Sequence, residues 1–368
     1  MTTVTAQEIH RRATAGDGDA QLQLARLFDR EGRHDVAVSW LHRAASGGHV
    51  AAMTWLGARL LVGRAAPFQP AEGAALLGRA AEAGGAEAAS RVAVLTGLGI
   101  GRRQNWSEAL DWLQTAAERG DASARNQLIL LAVDADAAAA ARTAHPPADA
   151  WKRLRDSVPL AHWLAPPAPK VIFEQPRVRV FEAFTTPEVC DWVSSRAASR
   201  LAPGRVYDAE KGGRRQDAMR TSSGAGFSLL DADVVLMLVR ARMAAAAGLD
   251  PVTFEPFNVL RYEVGQRYEP HFDFLNPEAP GLAQALALQG QRVATFLVYL
   301  NDGYEGGETA FPDLDWSLKA NKGDALLFFN VDPDGRPDRR TLHAGQPPTA
   351  GEKWLLSQWI RDKAQPII

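Results

Sequence analysis

A glycine-led pattern recurs through the first third of the chain and restricts what this part can fold into. Gly16, Gly48, Gly84 and Gly120 are separated by 32, 36 and 36 residues, and an alanine follows each glycine four residues later. A period of this length is typical of paired helices stacked as a solenoid, in which small residues let neighbouring helices approach closely. The sequence therefore predicts an all-α helical repeat solenoid over residues 1–145.

The segments that precede these glycines share an apolar pattern that resembles a known type of repeat. They lie at 40–45, 76–81 and 112–117, and the second has Leu76 where the other two have Trp. The alanine-rich helix pairs are similar to Sel-one-like repeats, which are related to tetratricopeptide repeats. This resemblance implies a concave surface that binds a protein segment. A stabilising arm or a dimer contact is the alternative interpretation.

The repeat pattern stops after residue 134 and a connecting region follows. We expect a short capping helix at 135–142 and one further helix at 150–163. Pro166-Pro167-Ala168-Pro169 should form a stiff, extended connector. The resulting division is a repeat domain at 1–145, a helix and Pro-rich linker at 146–169, and a second domain at 170–368. Two domains are also the natural expectation for 368 residues.

In the second domain the hydrophobic period shifts toward two. Short strands separated by glycine turns predict a double-stranded β-helix, or jelly roll, with flanking helices. We expect helices at 187–200 and 234–247. We expect strands at 171–173, 178–181, 257–262, 268–274, 293–299, 325–329, at His343 and at 354–360.

Two histidines and an aspartate in this domain predict a metal site. His271 and Asp273 are two positions apart, so on an extended strand both side chains would point to one side. His343 follows 70 residues after Asp273 and can come from a second strand. Two imidazoles and one carboxylate are the ligands with which a non-haem Fe(II) oxygenase holds iron on one face. Lys353, ten residues further on, could place a cation beside this metal to hold a carboxylate.

A chance occurrence of this pattern has to be weighed against the metal site. The chain has eight histidines, and only His271 and His343 lie beyond residue 162. Both belong to the constellation, which makes the chance interpretation the weaker one. The histidines of the first domain show no shared metal-ligand spacing, and we interpret them as surface residues.

Composition excludes several other classes of function. The net charge of −2 gives no general reason to expect a nucleic acid or an acidic membrane as partner. Cys190 is the one cysteine, which excludes an internal disulfide and a cysteine-rich metal site, and we expect it to be buried and inert. The first residues lack an apolar signal core, and no stretch of 18 apolar residues occurs. We therefore expect a cytoplasmic protein.

Residues of the second domain resemble prolyl 4-hydroxylases in several segments that occur in the same order. The resemblance covers about residues 170–363. The segment 258–273 is similar to the metal-site strand of that family, and 292–301 to its central strand. The other matching segments are Arg220-Thr221-Ser222-Ser223 and those at 306–312, 323–329, 343–345, 351–354 and 359–361.

The resemblance implies an Fe(II)- and 2-oxoglutarate-dependent dioxygenase. Its metal ligands would be His271, Asp273 and His343, and O₂ would be the second co-substrate. Lys353 would pair with the distal carboxylate of 2-oxoglutarate, helped by the hydroxyl groups of Thr295 and Tyr262. Oxidative decarboxylation to succinate and CO₂ would accompany hydroxylation of an aliphatic C–H bond. The family resemblance also suggests ascorbate as an additional cofactor.

The favoured substrate is a prolyl residue in a protein or peptide, recruited through the repeat domain. The alternatives are hydroxylation of a free amino acid or small metabolite, and a repeat scaffold whose oxygenase domain acts as a sensor or binding module. Repair of nucleic-acid bases is disfavoured, because those dioxygenases use arginine in place of Lys353. Segments 204–227, with its basic cluster at 211–215, and 276–289 are candidates for mobile loops over the site.

Overall fold

The computed structural model describes residues 6–204, 206–207, 214–215 and 219–366. The backbone contacts divide the chain into two compact units. Unit 1 comprises Met1–Ala161, Leu229–Met237 and Ile367–Ile368, and unit 2 comprises His162–Ser228 and Leu238–Pro366. The fold class predicted from the sequence, helical repeats followed by a β-rich domain, is confirmed.

Unit 1 is built from helices of similar length that pack against their neighbours in sequence. Six consecutive helices, α2 to α7, each have 13 residues. The bounds are α1 Ala6–Thr14, α2 Gly18–Arg30, α3 His34–Ser46, α4 Val50–Val62, α5 Pro70–Glu82, α6 Ala86–Leu98, α7 Trp106–Glu118, α8 Ala122–Leu131, α9 Ala135–Ala141, α10 Ala150–Asp156 and α11 Leu160–Leu164.

The recurring glycines lie in the turns between these helices, as the period predicts. Gly48, Gly84 and Gly120 have φ angles of 81°, 98° and 95°, in the left-handed region that favours glycine. The next helix begins two residues after each of them. Its first turn carries the repeated alanine, which is completely buried at Ala52, Ala88 and Ala124. The sequence pattern thus corresponds to one turn and one packed helix start in every repeat.

A second pair of glycines sets the distance between α4 and α5. A Cβ added to Gly57 would lie 2.9 Å from the carbonyl oxygen of Gly73. A Cβ added to Gly73 would lie 2.6 Å from the carbonyl oxygen of Gly57 and from the backbone nitrogen of Leu61. The two helix backbones therefore approach so closely that neither position has room for a side chain.

One helix prediction was wrong. The segment 150–163 forms two helices, α10 and α11, instead of one. Pro159 lies between them; it has no backbone N–H to donate, and it disfavours a helical conformation at Val158. The apolar face of Trp151 and Leu154 is nevertheless buried in α10.

Unit 2 contains an eight-stranded antiparallel sheet and a smaller four-stranded antiparallel sheet. The large sheet has the order β1-β2-β13-β9-β16-β7-β6-β3, and the small sheet has the order β12-β11-β14-β8. The strands are β1 Lys170–Phe173, β2 Val178–Phe181, β3 Ala202–Pro203, β4 Val206–Tyr207, β5 Arg214–Arg215, β6 Ser223–Phe227, β7 Phe257–Tyr262, β8 Tyr268–His271, β9 Arg292–Tyr299, β10 Glu305–Gly306, β11 Thr309–Phe311, β12 Trp316–Leu318, β13 Ala325–Phe329, β14 His343–Gly345, β15 Pro348–Ala350 and β16 Lys353–Arg361.

The core of unit 2 joins the two sheets. Leu260, Leu297 and Leu355 come from the large sheet, and Phe311 comes from the small sheet. The ring of Phe311 packs edge-on against Phe328 of the large sheet, with centroids 5.1 Å apart. Two facing antiparallel sheets around one apolar core are the architecture of the predicted jelly roll.

In the described residues after β2, the α-helices are α12 Pro187–Ala198, α13 Val234–Ala247 and α14 Ala283–Gln289. The last of these lies in the segment 276–289, a candidate for a mobile loop over the site. Cys190 in α12 is completely buried, and burial raises the pKa of its thiol to about 12. This agrees with the expectation of an inert cysteine.

Part of the sequence assigned to the second domain belongs to unit 1. The segment Leu229–Met237 includes a 3₁₀ turn and the first residues of α13. Within unit 1, the backbone N–H of Val234 donates to Oε1 of Gln127 at 2.8 Å. Arg91 donates to the carbonyl of Leu230 at 3.4 Å. The division at 145 and 169 does not anticipate this segment and stays a proposal.

Two other expectations concern the loop at 204–227 and membrane segments. Most of the basic cluster at 211–215 lies outside the described residues, so its proposed role over the site stays a prediction. Among the helices of the described ranges, none has the length and apolar character needed to cross a membrane.

Candidate metal and co-substrate site

Cross-strand pairing brings His271 and His343 together. His271 is the last residue of β8 and His343 is the first residue of β14, and the two are direct partners in the antiparallel register. Their ring centroids are 4.3 Å apart. The tertiary pairing of two short strands thus closes a gap of about 70 residues in the sequence.

Asp273 completes the cluster, but not in the way that the HxD pattern predicts. Strand β8 ends at His271, so the expected strand 268–274 is too long and Asp273 lies in the bend that follows. Its carboxylate still reaches both imidazoles, with Oδ1 3.8 Å from Nε2 of His271 and Oδ2 3.5 Å from Nε2 of His343. One ligand atom from each of the three residues lies within 4.8 Å of the others.

Backbone carbonyls fix which nitrogen of each histidine faces the cluster. Nδ1 of His271 lies 2.8 Å from the carbonyl oxygen of Glu269, and Nδ1 of His343 lies 3.0 Å from that of Thr341. An N–H at Nδ1 donates to the carbonyl and leaves the Nε2 lone pair for a metal. Burial lowers the pKa of His271 to about 3, so its ring is neutral, as a metal ligand must be.

The electrostatics of Asp273 also suit a cation. Burial alone would raise the pKa of its carboxyl, but the nearby His343 and His271 lower it below the ordinary value. The residue is 5% exposed and remains a carboxylate. Two imidazoles and one carboxylate on a shared face are the donor set of a 2-His-1-carboxylate Fe(II) centre, so the residues present fit this metal.

Lys353 is a completely buried cation in the same cavity. Its Nζ donates to the carbonyl of Gly307 at 2.7 Å and to Oγ1 of Thr309 at 3.3 Å. Both partners are neutral, and no carboxylate within the described residues forms an ion pair with Nζ. Burial lowers the pKa of Lys353 to about 7. A buried ammonium with only neutral partners fits the carboxylate of a bound ligand.

The hydroxyl groups beside Lys353 differ from those expected. Tyr262 is its direct partner across β7 and β16, and its ring lies 5.6 Å from Nζ. The hydroxyl that contacts Nζ of Lys353 belongs to Thr309, which also accepts a hydrogen bond from Tyr299 at 2.8 Å. Thr309 and Tyr299 are not among the site residues predicted from the sequence, although both lie in segments that resemble the family.

Thr295 makes a different contact from the one predicted. Its hydroxyl donates to Oδ2 of Asp273 at 2.7 Å and accepts from Nδ2 of Asn330 at 3.1 Å. The predicted role of Thr295 beside the distal carboxylate is therefore replaced by a contact with the aspartate of the cluster. In β9, Tyr299 is the residue whose hydroxyl contacts Thr309 beside Lys353. Thr295 lies four residues earlier in the same strand, at the position of Asp273.

Arg361 is another buried cation of unit 2, and it has a carboxylate partner. Its Nε donates to Oε1 of Glu255 at 2.6 Å, and Arg292 donates to the same carboxylate at 2.7 Å. Both arginines thus share one buried glutamate as their ion-pair partner. Arg292 also lies over the ring of Trp359, 3.8 Å from its centroid.

Two cavities share Arg220 and Trp359. The inner cavity is lined by the three residues of the cluster, Lys353, Thr309 and Tyr262. The outer cavity has a volume of about 550 Å³ and is lined by segments 202–204 and 255–258, with Gly224 and Gly226. Nε of Arg220 donates to Ser222, which also hydrogen bonds with Tyr262. The Arg-Thr-Ser-Ser motif therefore lies at the site.

Residues 257–361 match the family model described as "2OG-Fe(II) oxygenase superfamily". Over 214 residues the chain is 37% identical to a probable prolyl 4-hydroxylase 9 of Arabidopsis thaliana, covering 53% of this chain and 72% of that protein. It is 38% identical over 207 residues to a probable prolyl 4-hydroxylase 7 of the same plant, covering 51% of this chain and 64% of that protein, which is less than two thirds of its length.

Two solved structures overlap with parts of the chain. A viral collagen prolyl hydroxylase from Paramecium Bursaria Chlorella virus-1, in its 2OG complex, is 27% identical and covers 50% of this chain and 95% of its own, with a TM-score of 0.39. A Sel1 repeat protein from Oxalobacter formigenes is 28% identical and covers 33% of this chain and 94% of its own, with a TM-score of 0.31.

The family model matches residues of the two-sheet domain, and the Arabidopsis thaliana proteins match about half of the chain. The matched residues include the His271, Asp273 and His343 cluster and Lys353, so sequence similarity and site geometry point to the same assignment. The chain therefore belongs to the 2OG-Fe(II) oxygenase superfamily and, within it, to the prolyl 4-hydroxylase family.

Proposed function

We propose that this protein is an Fe(II)- and 2-oxoglutarate-dependent dioxygenase that hydroxylates a prolyl residue in a protein or peptide. The observation that carries the proposal is the position of the buried Lys353 in the same cavity as His271, Asp273 and His343. A metal-ligand face and an unpaired buried cation are what a chelating 2-oxo diacid needs at its two ends.

In this proposal each side chain has a defined task. Nε2 of His271, Nε2 of His343 and the carboxylate of Asp273 hold the metal. Lys353 and the Thr309 hydroxyl bind the distal carboxylate of 2-oxoglutarate. With Fe(II) held there, the site would have the chemistry to couple decarboxylation of 2-oxoglutarate, to succinate and CO₂, with insertion of one oxygen atom from O₂ into a C–H bond. Tyr262 closes one wall of the cavity and keeps water from the lysine.

A polypeptide substrate is supported by the outer cavity. Its volume of about 550 Å³ is in the range of ligand-binding clefts, and it shares Arg220 and Trp359 with the inner cavity. In the described part of the chain, Nε1 of Trp359 is buried and has no hydrogen-bond acceptor. We assign this N–H and Arg220 to the backbone carbonyls of a bound peptide. The names of the Arabidopsis thaliana relatives favour proline as the hydroxylated residue.

The helical repeats are part of the same proposal. We infer that they recruit the protein that carries the target proline, with a cavity along α2, α4 and α6 as the docking surface. Arg26, Arg30 and Trp55 line this cavity. Recruitment at a second site raises the effective concentration of the target segment without changing the chemistry.

Two conditions of the reaction complete the proposal. We expect ascorbate to support turnover by keeping the iron in its ferrous state. We also place the enzyme in the cytoplasm, because a reducing compartment suits an Fe(II) enzyme with a single buried cysteine.

The decisive experiment compares proteins from cells with and without this enzyme by mass spectrometry. Prolyl residues that carry one additional oxygen atom only when the enzyme is present are the expected result, and a variant with His271→Ala is the matched control. A free amino acid or metabolite that gains oxygen, with no change in any protein, would favour the small-molecule alternative. Binding of 2-oxoglutarate without succinate formation on any substrate would favour the sensor.

A further inference from the structure

Two buried polar side chains next to Asp273 have no task in the chemistry proposed above. Asn330 is completely buried and Thr295 is 1% exposed. Nδ2 of Asn330 donates to Oγ1 of Thr295 at 3.1 Å, and this hydroxyl donates to Oδ2 of Asp273 at 2.7 Å. The three side chains form a linear chain of hydrogen bonds that ends on the carboxylate.

The pairing of two central strands holds this chain of hydrogen bonds in place. Thr295 lies in β9, and Asn330 directly follows β13, which pairs with β9 through Phe328 opposite Thr295. The backbone N–H of Asn330 donates to the carbonyl of Val293 at 2.9 Å. Both side chains therefore project from the most buried part of the large sheet, where their positions are well fixed.

The direction of the hydrogen bonds follows from the charge on Asp273. A carboxylate only accepts hydrogen bonds, so the single hydroxyl proton of Thr295 must point to Asp273. The hydroxyl oxygen must then accept, and Asn330 has to present its NH₂ group. As a consequence Oδ1 of Asn330 is buried without a hydrogen-bond partner in the described ranges. An unpaired buried carbonyl destabilises a fold. The arrangement therefore keeps the hydrogen bond from Thr295 to Asp273 and lowers the stability of the folded state.

We propose that Asn330 is a positioning residue for the metal site, which acts through Thr295 to hold the Asp273 carboxylate in one orientation. The hydroxyl of Thr295 donates to Oδ2 of Asp273 and not to Oδ1. Oδ1 lies 3.8 Å from Nε2 of His271. Outer partners that orient a ligand strengthen metal binding although they do not touch the metal. The inference rests on the metal site proposed above.

The test is the substitution Asn330→Leu, which keeps the branched shape of the side chain and removes both polar atoms. The affinity of the full chain for Fe(II) alone should fall by roughly tenfold, at the lower end of the range for outer-shell substitutions. The metal-free protein should unfold at an unchanged or higher temperature, because the unpaired carbonyl is gone. Anaerobic titration calorimetry and thermal unfolding measure the two quantities. A merely structural role predicts that affinity and thermal stability fall together.

Variants of Thr295 test the relay independently of Asn330. Thr295→Val should weaken Fe(II) binding by about 10- to 100-fold, and Thr295→Ser should restore it because the hydroxyl remains. Thr185→Val is the matched control, since this buried threonine does not line the inner cavity and its hydroxyl has no hydrogen-bond partner within the described residues. This control should bind Fe(II) like the unaltered chain.

Results that contradict the positioning role differ from results that contradict the proposed function. Unaltered Fe(II) affinity in Asn330→Leu, or equal losses in Thr295→Ser and Thr295→Val, would overturn the positioning role and leave the metal site intact. If the unaltered chain does not bind Fe(II), the metal site is rejected and the role of Asn330 with it.

Discussion

Lys353 is completely buried and its Nζ donates to two neutral groups, so its surroundings suit a bound anion. Replacing it with Ala should raise the dissociation constant for 2-oxoglutarate by roughly 10- to 150-fold, because a charge-assisted hydrogen bond in a buried site contributes about 1.5–3 kcal/mol. Lys353→Arg should recover little, since the longer planar group does not fit between Gly307 and Thr309. Calorimetric titration with 2-oxoglutarate at saturating Fe(II) measures the effect, and an unchanged constant in Lys353→Ala contradicts it.

The same residue predicts how co-substrate binding depends on pH. The pKa of Lys353 is lowered by burial to about 7, so its charge is lost as pH rises through this value. A dianion prefers the charged form, and affinity for 2-oxoglutarate should therefore decrease above about pH 7 and be greatest below it. Binding above this pH should take up a proton, which calorimetry in buffers of different ionisation enthalpy detects. In Lys353→Ala the proton uptake should disappear.

The two histidines give a second prediction at this scale. His271→Ala or His343→Ala should abolish the weak visible band that appears when Fe(II) and 2-oxoglutarate are added anaerobically. Each substitution removes one of three ligands from a single face. Far-ultraviolet circular dichroism should stay unchanged, because the helices of unit 1 contain neither residue. Retention of the band in both variants would reject the iron assignment.

At the scale of elements, the contact between α4 and α5 is sensitive to a single methyl group. Gly73→Ala places a Cβ 2.6 Å from backbone atoms of α4, so the helices have to separate, at a cost of typically 1–3 kcal/mol. Gly78→Ala in the same helix is the control. Its Cβ meets only the flexible side chain of Arg102, at 3.4 Å, and helix propensity should stabilise it by about 1 kcal/mol.

Unfolding of the full chain followed by helical circular dichroism measures both variants. The expected order of unfolding temperature is Gly78→Ala above the unaltered chain and Gly73→Ala below it. Equal effects of the two substitutions would show that the close approach does not limit the packing.

At the scale of the whole molecule, removal of the repeats should affect more than the repeats, because unit 1 also includes Leu229–Met237. A chain that begins near Pro166 lacks the helices with which Leu229–Met237 forms one compact unit. It loses the hydrogen bond from Val234 to Gln127, and Val234 and Leu236 are buried residues of this segment. The truncated chain should therefore unfold at a lower temperature and lose iron binding and turnover together. Calorimetric unfolding and succinate formation provide the measurements.

Recruitment by the repeats is better tested in the full chain. Trp55→Ala with Arg26→Ala should reduce turnover of the native protein target and leave a short proline peptide unaffected, because both residues lie in the cavity of unit 1. Equal turnover of the protein target by this variant and the unaltered chain would remove the recruiting role.

Local sequence was sufficient for most of the elements. The predicted bounds of β2, β7, β13 and α13 agree with the structure, because hydrophobic periodicity and turn residues act within a few positions. The repeat glycines and buried alanines follow from the same local rules. Pro159 shows the limit of prediction from the apolar pattern alone. The pattern extends past Pro159, but proline has no backbone N–H with which to continue the helix.

The sequence by itself determined which residues were candidates for the site, but only the tertiary structure decided what each of them contacts. Thr295 pairs with Asp273 and Asn330, Thr309 takes the place beside Lys353, and Arg361 is held by Glu255. The physical reason is that these contacts depend on the register between strands that are distant in sequence. A one-residue change of register would move every side chain of a strand to the other face, and no local pattern specifies it.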